Sequence, residues 1–214
     1  MAISCVSRFP SFLYGEISRR GDCLLNAGKS VCRNSLYTVS GMVAILPSIL
    51  HLTLSDQETG EDEAQFLLSC SKRILADSYV SLLFAVNPLA RFKTDWIERT
   101  RAGFFLARWR DSLFDQGIQW AKSSSCLDRH VLSRLAGGCT LLVSTITAVA
   151  DAAIACVAVP LSFLTGGKFR LVNAIALQSL QCTGVLYDIG ASLVFMSNPS
   201  DSESFPPIEY TSKV

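Results

Sequence analysis

Two stretches of the chain share one pattern of apolar and polar positions. Residues 74–88 are ILADSYVSLLFAVNP and residues 185–199 are VLYDIGASLVFMSNP. Aligned without gaps at an offset of 111, they are identical at seven of fifteen positions, whereas average residue frequencies give about one chance identity. Upstream, VAILPSIL at 43–50 resembles VAVPLSFL at 157–164. Together these matches indicate an internal duplication.

Each copy has the pattern of a helical hairpin. An apolar arm is followed by a short polar connection and by a second apolar arm that ends in Asn-Pro. Proline disfavours helical backbone for the residue before it, and asparagine tolerates the conformations found at helix ends, so each second arm should stop there. The sequence therefore predicts an all-α protein with two diverged helical hairpins joined by an aromatic-basic helical segment.

The predicted domain organisation follows from these copies. The two hairpins occupy residues 35–88 and 135–199. Residues 89–134 form an amphipathic, aromatic-basic connector between them. The first 34 residues are predicted to be a flexible lead-in, and residues 200–214 a disordered tail.

An aspartate lies in the middle of each second arm. Asp77 and Ser81 are four positions apart, as are Asp188 and Ser192, so each pair shares one helical face. A carboxylate in apolar surroundings has to be paired, hydrogen-bonded or protonated. We interpret these residues, with Asp151 in the first arm of copy two, as structural polar groups that bond within an arm or to a neighbouring helix. A proton or ligand site inside a membrane is the alternative.

Apolar content and arm length favour insertion into a membrane. Half of the residues are hydrophobic and 17% are charged, whereas soluble domains have about 25% charged residues. Residues 34–55 contain no Lys, Arg, Asp or Glu, and a helix of that length spans about 33 Å, enough for a hydrocarbon core. A soluble helical bundle, with the apolar arms as its own core, is the alternative.

The positions of basic residues do not establish an orientation. If both hairpins enter a membrane from the same side, then the N-terminus, the connector and the tail share that side, with fifteen of the 19 basic residues. That side is also about three times longer than the two hairpin connections together, so the densities of Lys and Arg are nearly equal.

The connector interleaves aromatic with basic residues, which makes it the candidate for contact with a membrane surface or a partner. Such a helix can lie in the headgroup layer, with its rings at the boundary and its arginines on lipid phosphate. Alternatively, its aromatic side chains pack on the hairpins and its charges are solvated. The candidates are Arg91, Lys93, Trp96, Arg99, Arg101, Arg108, Trp109 and Arg110.

The sequence contains no convincing motif for catalysis, a cofactor or a metal. The segment NAGKS lacks the glycine that a phosphate-binding loop needs five residues before Gly28, where Cys23 stands. Cys126, Asp128 and His130 lie close together but lack an oxyanion donor or an orienting group. Two histidines and no C-x-x-C pair predict no zinc site, and the eight cysteines are expected to be reduced. A net charge of +1 argues against nucleic-acid binding.

Residues 161–188 carry a family resemblance. They are LSFLTGGKFRLVNAIALQSLQCTGVLYD, which is similar to uncharacterised small hydrophobic proteins of chlamydial bacteria with the pattern L-S-L-L-T-x-G-K-F, an Asn, L-Q-x-x-G and an Asp. Copy one departs from this pattern, because its connection is acidic and lacks Gly-Lys-Phe. The matching residues are Leu161, Ser162, Leu164, Thr165, Gly167, Lys168, Phe169, Asn173, Leu180, Gln181, Gly184 and Asp188.

The resemblance implies a place of action but no activity. The lineage also contains inclusion-membrane proteins, whose paired apolar arms have both ends in the host cytosol, so it implies secretion into a host-derived membrane and brings no catalytic residues. We therefore expect a non-catalytic protein of a bacterial or inclusion membrane, with a structural or partner-binding role. Its expected partners are lipid and a host or bacterial protein, with no small-molecule substrate.

Two other hypotheses stay open. One is a soluble helical bacterial effector or interaction module, either secreted or cytoplasmic. The other is an intramembrane enzyme or transporter that uses Asp77, Asp151 and Asp188, which requires the three carboxylates to converge on one cavity.

Overall fold

The computed structural model describes residues 8–51, 61–93 and 105–197, and within these ranges the protein is helical and contains no strand. This confirms the predicted all-α class. The described chain forms five continuous helical segments. Two of them are interrupted by short 3₁₀ helices, Cys70–Lys72 and Leu180–Gly184, and a third begins with a π-helical turn, Asp128–Leu132. The α-helices are α1 (Arg8–His51), α2 (Glu61–Ser69), α3 (Arg73–Val86), α4 (Phe105–Ala121), α5 (Ser133–Leu164), α6 (Arg170–Ser179) and α7 (Val185–Ser197).

The first helix runs antiparallel to α2 and α3. In the first half of α1, Arg19 donates a hydrogen bond of 2.6 Å to the carbonyl of Phe84, near the end of α3. In its second half, Gly41 lies against α2, where a Cβ atom on Gly41 would be 2.9 Å from the backbone nitrogen of Leu68. The helices therefore approach as closely as a glycine allows.

The fifth helix runs antiparallel to α6 and α7 and also contacts α4. Ser162, near the end of α5, donates to the side-chain oxygen of Asn173 on α6 at 2.7 Å. At the other end of α5, Gly137 packs against the buried ring of Phe195 on α7, and Gly117 of α4 packs against the same ring. The absence of side chains at the two glycines lets α4, α5 and α7 meet at one point.

Two hydrophobic clusters lie on either side of the 3₁₀ helices. The first joins α1, α2 and α7, and the second joins α3, α5, α6 and the loop after α3. The buried members of the first are Ile45, Ala64, Leu68, Tyr187, Ala191 and Val194. The buried members of the second are Ala76, Tyr79, Leu83, Ala90, Ala158, Ala176 and Leu177.

The structure differs from the sequence prediction at the N-terminus. Residues 8–34, expected within a flexible lead-in, belong to α1. The physical reason is tertiary: Arg19 bonds to carbonyls at the end of α3, and Ala27 is buried. Helix α3 ends at Val86 as predicted, with Asn87 in extended backbone before the proline. The tail, residues 198–214, and residues 94–104 of the connector lie outside the described residues.

Adjacent glycines in α5 provide a stability prediction. Gly137→Ala places a methyl group 2.8 Å from the Phe195 ring, and overpacking of this kind costs about 1–3 kcal/mol. Gly138→Ala meets no atom within 4 Å and should stabilise the helix by about 0.5–1 kcal/mol, because alanine has the higher helix propensity. Unfolding of both variants in detergent measures the difference, and equal effects would contradict the described packing of α5 on α7.

Candidate functional site

One face of α5 exposes a row of large apolar side chains. Their spacing of three, four or seven residues, with one gap of eight, keeps them on one side of the helix, and their exposed fractions range from 45% to 84%. The row covers 30 residues, which in an α-helix is about 45 Å. Contiguous apolar surface of this extent is typical of a contact surface rather than of a solvated face. We call it the α5 apolar face: Leu135, Leu142, Ile146, Val149, Val157, Leu161 and Leu164.

The polar groups along α5 fit an apolar environment. Between Arg134 and Lys168 the only charged residue is Asp151, which is half-buried. Thr145 lies beside the α5 apolar face, and its hydroxyl donates a 2.9 Å hydrogen bond to the carbonyl of Leu141. Because that bond lies within the helix, the hydroxyl does not depend on water.

Within the described ranges, two helical segments are long and apolar enough to cross a membrane, and they differ in burial. The most apolar stretch of 18 residues in Asp128–Leu164 has a mean hydropathy of 2.1 and is 28% buried, whereas that in Arg170–Ser197 has a mean hydropathy of 1.2 and is 56% buried. The core helix of a soluble bundle would be mostly buried. Helix α1, which includes most of the predicted span 34–55, is not among the two segments, and residues 52–55 lie outside the described residues.

Asp188 lies buried on α7 beside Arg110 of α4. The side chains are 3% and 2% exposed, and Nη1 of Arg110 is 3.5 Å from Oδ2 of Asp188. Arg110 also donates through Nε and Nη2 to Oδ1 of Asp111, at 2.9 and 2.7 Å. The prediction that Arg110 contacts a membrane surface or a partner is therefore wrong: it is buried because it accompanies a carboxylate inside the bundle.

The other aspartates have different neighbours. Asp77, partly exposed, accepts a 3.2 Å hydrogen bond from Asn34 and lies 3.9 Å from Nη2 of Arg33, both on α1. Asp151, on α5, lies near Cys182, which belongs to the 3₁₀ helix between α6 and α7. No group of His, Cys, Asp and Glu in the described ranges forms a metal-type cluster. Asp77, Asp151 and Asp188 thus each have different neighbouring residues. Of the predicted serine partners, Ser81 is half-buried and Ser192 is buried.

The remaining connector candidates divide into two groups. Arg91 and Lys93 are exposed on the loop after α3, and Trp109 is half-exposed on α4. The side chains of Trp96, Arg99, Arg101 and Arg108 lie outside the described residues.

A buried hydrogen-bond network, which the sequence did not predict, joins α3 to the α5–α6 turn. The Tyr79 hydroxyl is 2.6 Å from Oγ of Ser162, which donates to Asn173. Asn173 in turn donates to the carbonyls of Gly167 and Arg91, each at 2.9 Å. Because the one hydroxyl proton of Ser162 goes to Asn173, the Tyr79 hydroxyl is the donor in the bond between them.

Asn87 attaches the end of copy one to the same turn. Its side-chain nitrogen donates a 2.8 Å hydrogen bond to the carbonyl of Gly166. Gly166 and Gly167 have positive φ angles of 60° and 68°, which glycine adopts without strain. Sequence reasoning assigned Asn87 only a helix-ending role. The available signal was the family-like pattern, which includes Ser162, Gly167 and Asn173. We call the junction the set of hydrogen bonds that joins α3 and the loop after it to the α5–α6 turn, through Tyr79, Asn87, Ser162, Gly166 and Asn173.

Comparison with known proteins adds no family to this description: no family model, curated protein or solved structure matches the chain. The resemblance of residues 161–188 to chlamydial hydrophobic proteins therefore has no support from these comparisons. The features of the described residues that bear on function are the α5 apolar face, the buried ion pair and the junction.

Proposed function

We propose that the protein is a non-catalytic, membrane-embedded helical protein with a structural or partner-binding role, in which the α5 apolar face contacts lipid. The observation that carries this proposal is the low burial of the most apolar helical segment. In water, exposed apolar surface costs about 25 cal/mol per Å² in free energy. In a hydrocarbon core the same surface contacts lipid tails, and this cost does not arise.

A soluble bundle is the second candidate. The two hydrophobic clusters and the higher burial of Arg170–Ser197 favour it. It does not account for α5, where Val149 is 66% and Val157 is 69% exposed. A helix that served as the core of a soluble bundle would bury these side chains.

The outer face of α1 is excluded from the proposed lipid contact. Lys29 and Arg33 are exposed there, beside Leu36 and Tyr37, around an open cavity of about 660 Å³. Charged side chains in the hydrocarbon core are costly. We therefore assign this face to water or to lipid headgroups.

We also infer that the two helix pairs arose from one duplicated hairpin. Each second arm is interrupted by a 3₁₀ helix, and at the offset of 111 residues 70–72 correspond to 181–183, within Leu180–Gly184. The interruptions contact each other, because Oγ1 of Thr183 donates to the carbonyl of Ser71 at 2.5 Å. Interruptions at equivalent positions support the duplication that the sequence repeat indicates.

Lysine substitutions at two depths test the lipid contact. At the middle of a membrane helix, Val149→Lys should cost about 2.5–3.5 kcal/mol of insertion free energy. At the end of the row, the lysine of Leu164→Lys can reach the headgroups, so its cost should be small. The measurement is the carbonate-resistant fraction of each variant in membranes.

The two lysine variants control for each other. Val149 and Leu164 are both exposed, at 66% and 84%, so a soluble protein would tolerate both substitutions equally. Equal integration of the two variants would count against lipid contact at Val149.

A further inference from the structure

A second exposed apolar face lies on α1. Its large side chains fall within about 100° of the helix circumference, and their exposed fractions range from 56% to 78%. None of the charged residues between positions 13 and 46 falls in that sector. Exposed apolar surface of this extent marks a contact surface. We call it the α1 apolar face: Tyr14, Ile17, Leu24, Leu25, Val39, Val43 and Leu46.

The first turns of α1 extend beyond the helix that covers the rest of it. Arg19 contacts carbonyls in the last turn of α3, and the antiparallel α3 ends at Val86. Residues 8–18 therefore continue for about 16 Å past the end of α3. Tyr14 and Ile17, in this extension, are 78% and 70% exposed. The extension thus presents apolar side chains that α3 does not cover.

Lipid tails do not fit the α1 apolar face. Asp22, Lys29 and Arg33 are exposed on the adjoining side of the helix, and charged side chains in the hydrocarbon core are costly. The two segments of the described ranges that are apolar enough to cross a membrane do not include α1. The α1 apolar face therefore indicates contact with protein, outside the hydrocarbon core.

The α1 apolar face is complementary to a second copy of itself. Suppose that two α1 helices run antiparallel, with Leu25 of one copy opposite Gly28 of the other. Cys32 then lies opposite Gly21, because residue numbers rise along one helix as they fall along the other. A Cβ atom at either glycine would meet no atom within 4 Å, so each glycine leaves space for the side chain opposite. The two copies make the same contacts in reverse, which is the property of a symmetric dimer.

The charged residues fit the same arrangement. Asp22, Lys29 and Arg33 all lie on one flank of the α1 apolar face. In an antiparallel pair this flank meets the same flank of the second copy, and Asp22 lies level with residue 31, between Lys29 and Arg33. A shift by seven residues would keep the glycines in the contact, but it would bring Lys29 near Lys29 or Asp22 near Asp22. Charge therefore favours the register in which Leu25 lies opposite Gly28.

We propose that the protein forms a symmetric dimer in which the α1 helices of two copies pack antiparallel through the α1 apolar face. The extension of α1 then has a partner, since Tyr14 lies opposite Val39 of the second copy. Helix α1 packs mainly on α2 and α3, whereas α5 packs on α4, α6 and α7. The dimer contact is thus separate from the α5 apolar face, and the proposal does not rest on lipid contact there.

Disulfide cross-linking tests the pairing of the helices and its direction. Gly21→Cys places a thiol opposite native Cys32, which is exposed. The full chain in mild detergent is oxidised with copper–phenanthroline in air, and peptide mass spectrometry identifies the disulfides. A disulfide between position 21 and Cys32 is expected. It has to join two copies, because the two positions are about 16 Å apart along one helix and a disulfide cannot span that distance.

Gly15→Cys is the matched control. Gly15 is as open as Gly21, but it lies off the α1 apolar face, so position 15 should form no disulfide with Cys32. Disulfides that join position 21 to itself and Cys32 to itself would indicate a parallel pair and overturn the proposal. Equal cross-linking of positions 15 and 21, or a chain that stays monomeric at every concentration in analytical ultracentrifugation, would overturn it too.

Charge reversal tests the register in the same detergent. Asp22→Lys sets like charges together and should raise the dissociation constant of the dimer about tenfold, the size expected for several exposed ion pairs. Addition of Lys29→Asp should recover part of the affinity, because opposite charges then meet again. Circular dichroism shows whether both variants keep the helical fold. An unchanged dissociation constant in a folded Asp22→Lys variant would contradict the register and, with it, the proposed dimer.

Discussion

Replacement of Arg110 by methionine is expected to lower the free energy of unfolding by about 3–5 kcal/mol, because it removes the cation beside a buried carboxylate. The guanidinium and Asp188 are both almost fully enclosed, with Nη1 and Oδ2 3.5 Å apart. Unfolding of the variant in detergent, followed by circular dichroism, measures the loss.

A charge-free double variant separates the ion pair from packing. Arg110→Met combined with Asp188→Leu removes both charges and should recover much of the lost stability. Arg134→Met is the matched control, since Arg134 is exposed, and its effect should stay within about 0.5 kcal/mol. A single Arg110 variant as stable as the control, or a double variant with additive losses, would show that the pair does not stabilise the bundle.

The second large effect is expected at the junction. Asn173→Leu keeps a similar size but removes the acceptor of Ser162 and the donor to the carbonyls of Gly167 and Arg91. Each stranded buried group costs about 1–3 kcal/mol. The loop after α3 and the α5–α6 turn should then separate, which amide hydrogen exchange of the two loops reports together with the loss of stability.

Two further variants grade this result. Tyr79→Phe removes one hydroxyl and leaves the other bonds of the network, so it should cost about 1 kcal/mol. Asn26→Leu alters an exposed asparagine of α1 and should be nearly neutral. If Asn173→Leu is no more destabilising than Asn26→Leu, the junction does not hold the copies together.

Local physics accounts for the parts of the fold that were predictable. The all-α class followed from apolar arms of helical length, and the end of α3 followed from the backbone restriction that Pro88 places on Asn87. The long α1 did not follow, because its first half is held by Arg19, whose acceptor on Phe84 is 65 residues away. A bond across that separation leaves no periodic signal.

The same limit applies to the candidate site. In the sequence, Arg91 and Arg110 are both basic residues among aromatic residues, yet one is exposed and the other lies buried beside Asp188. The hydropathy of the sequence indicates several apolar arms, but it does not show which of these arms are buried by the others in the fold. Of the two apolar segments found in the described ranges, the more apolar one, which contains α5, is the less covered.

The reactivity of native thiols tests the lipid contact of α5 most directly. Cys126 precedes α5, whereas Cys156 lies on α5 beside the apolar face, and both are exposed. Intact membranes containing the unmodified protein are treated with a permeant maleimide, and labelling is quantified by mass spectrometry before and after unfolding in SDS and urea. Cys126 should react at once, and Cys156 only after unfolding, because maleimide needs a thiolate that hydrocarbon does not support. Equal, rapid reaction of both thiols in the folded protein would place α5 in water and contradict the account.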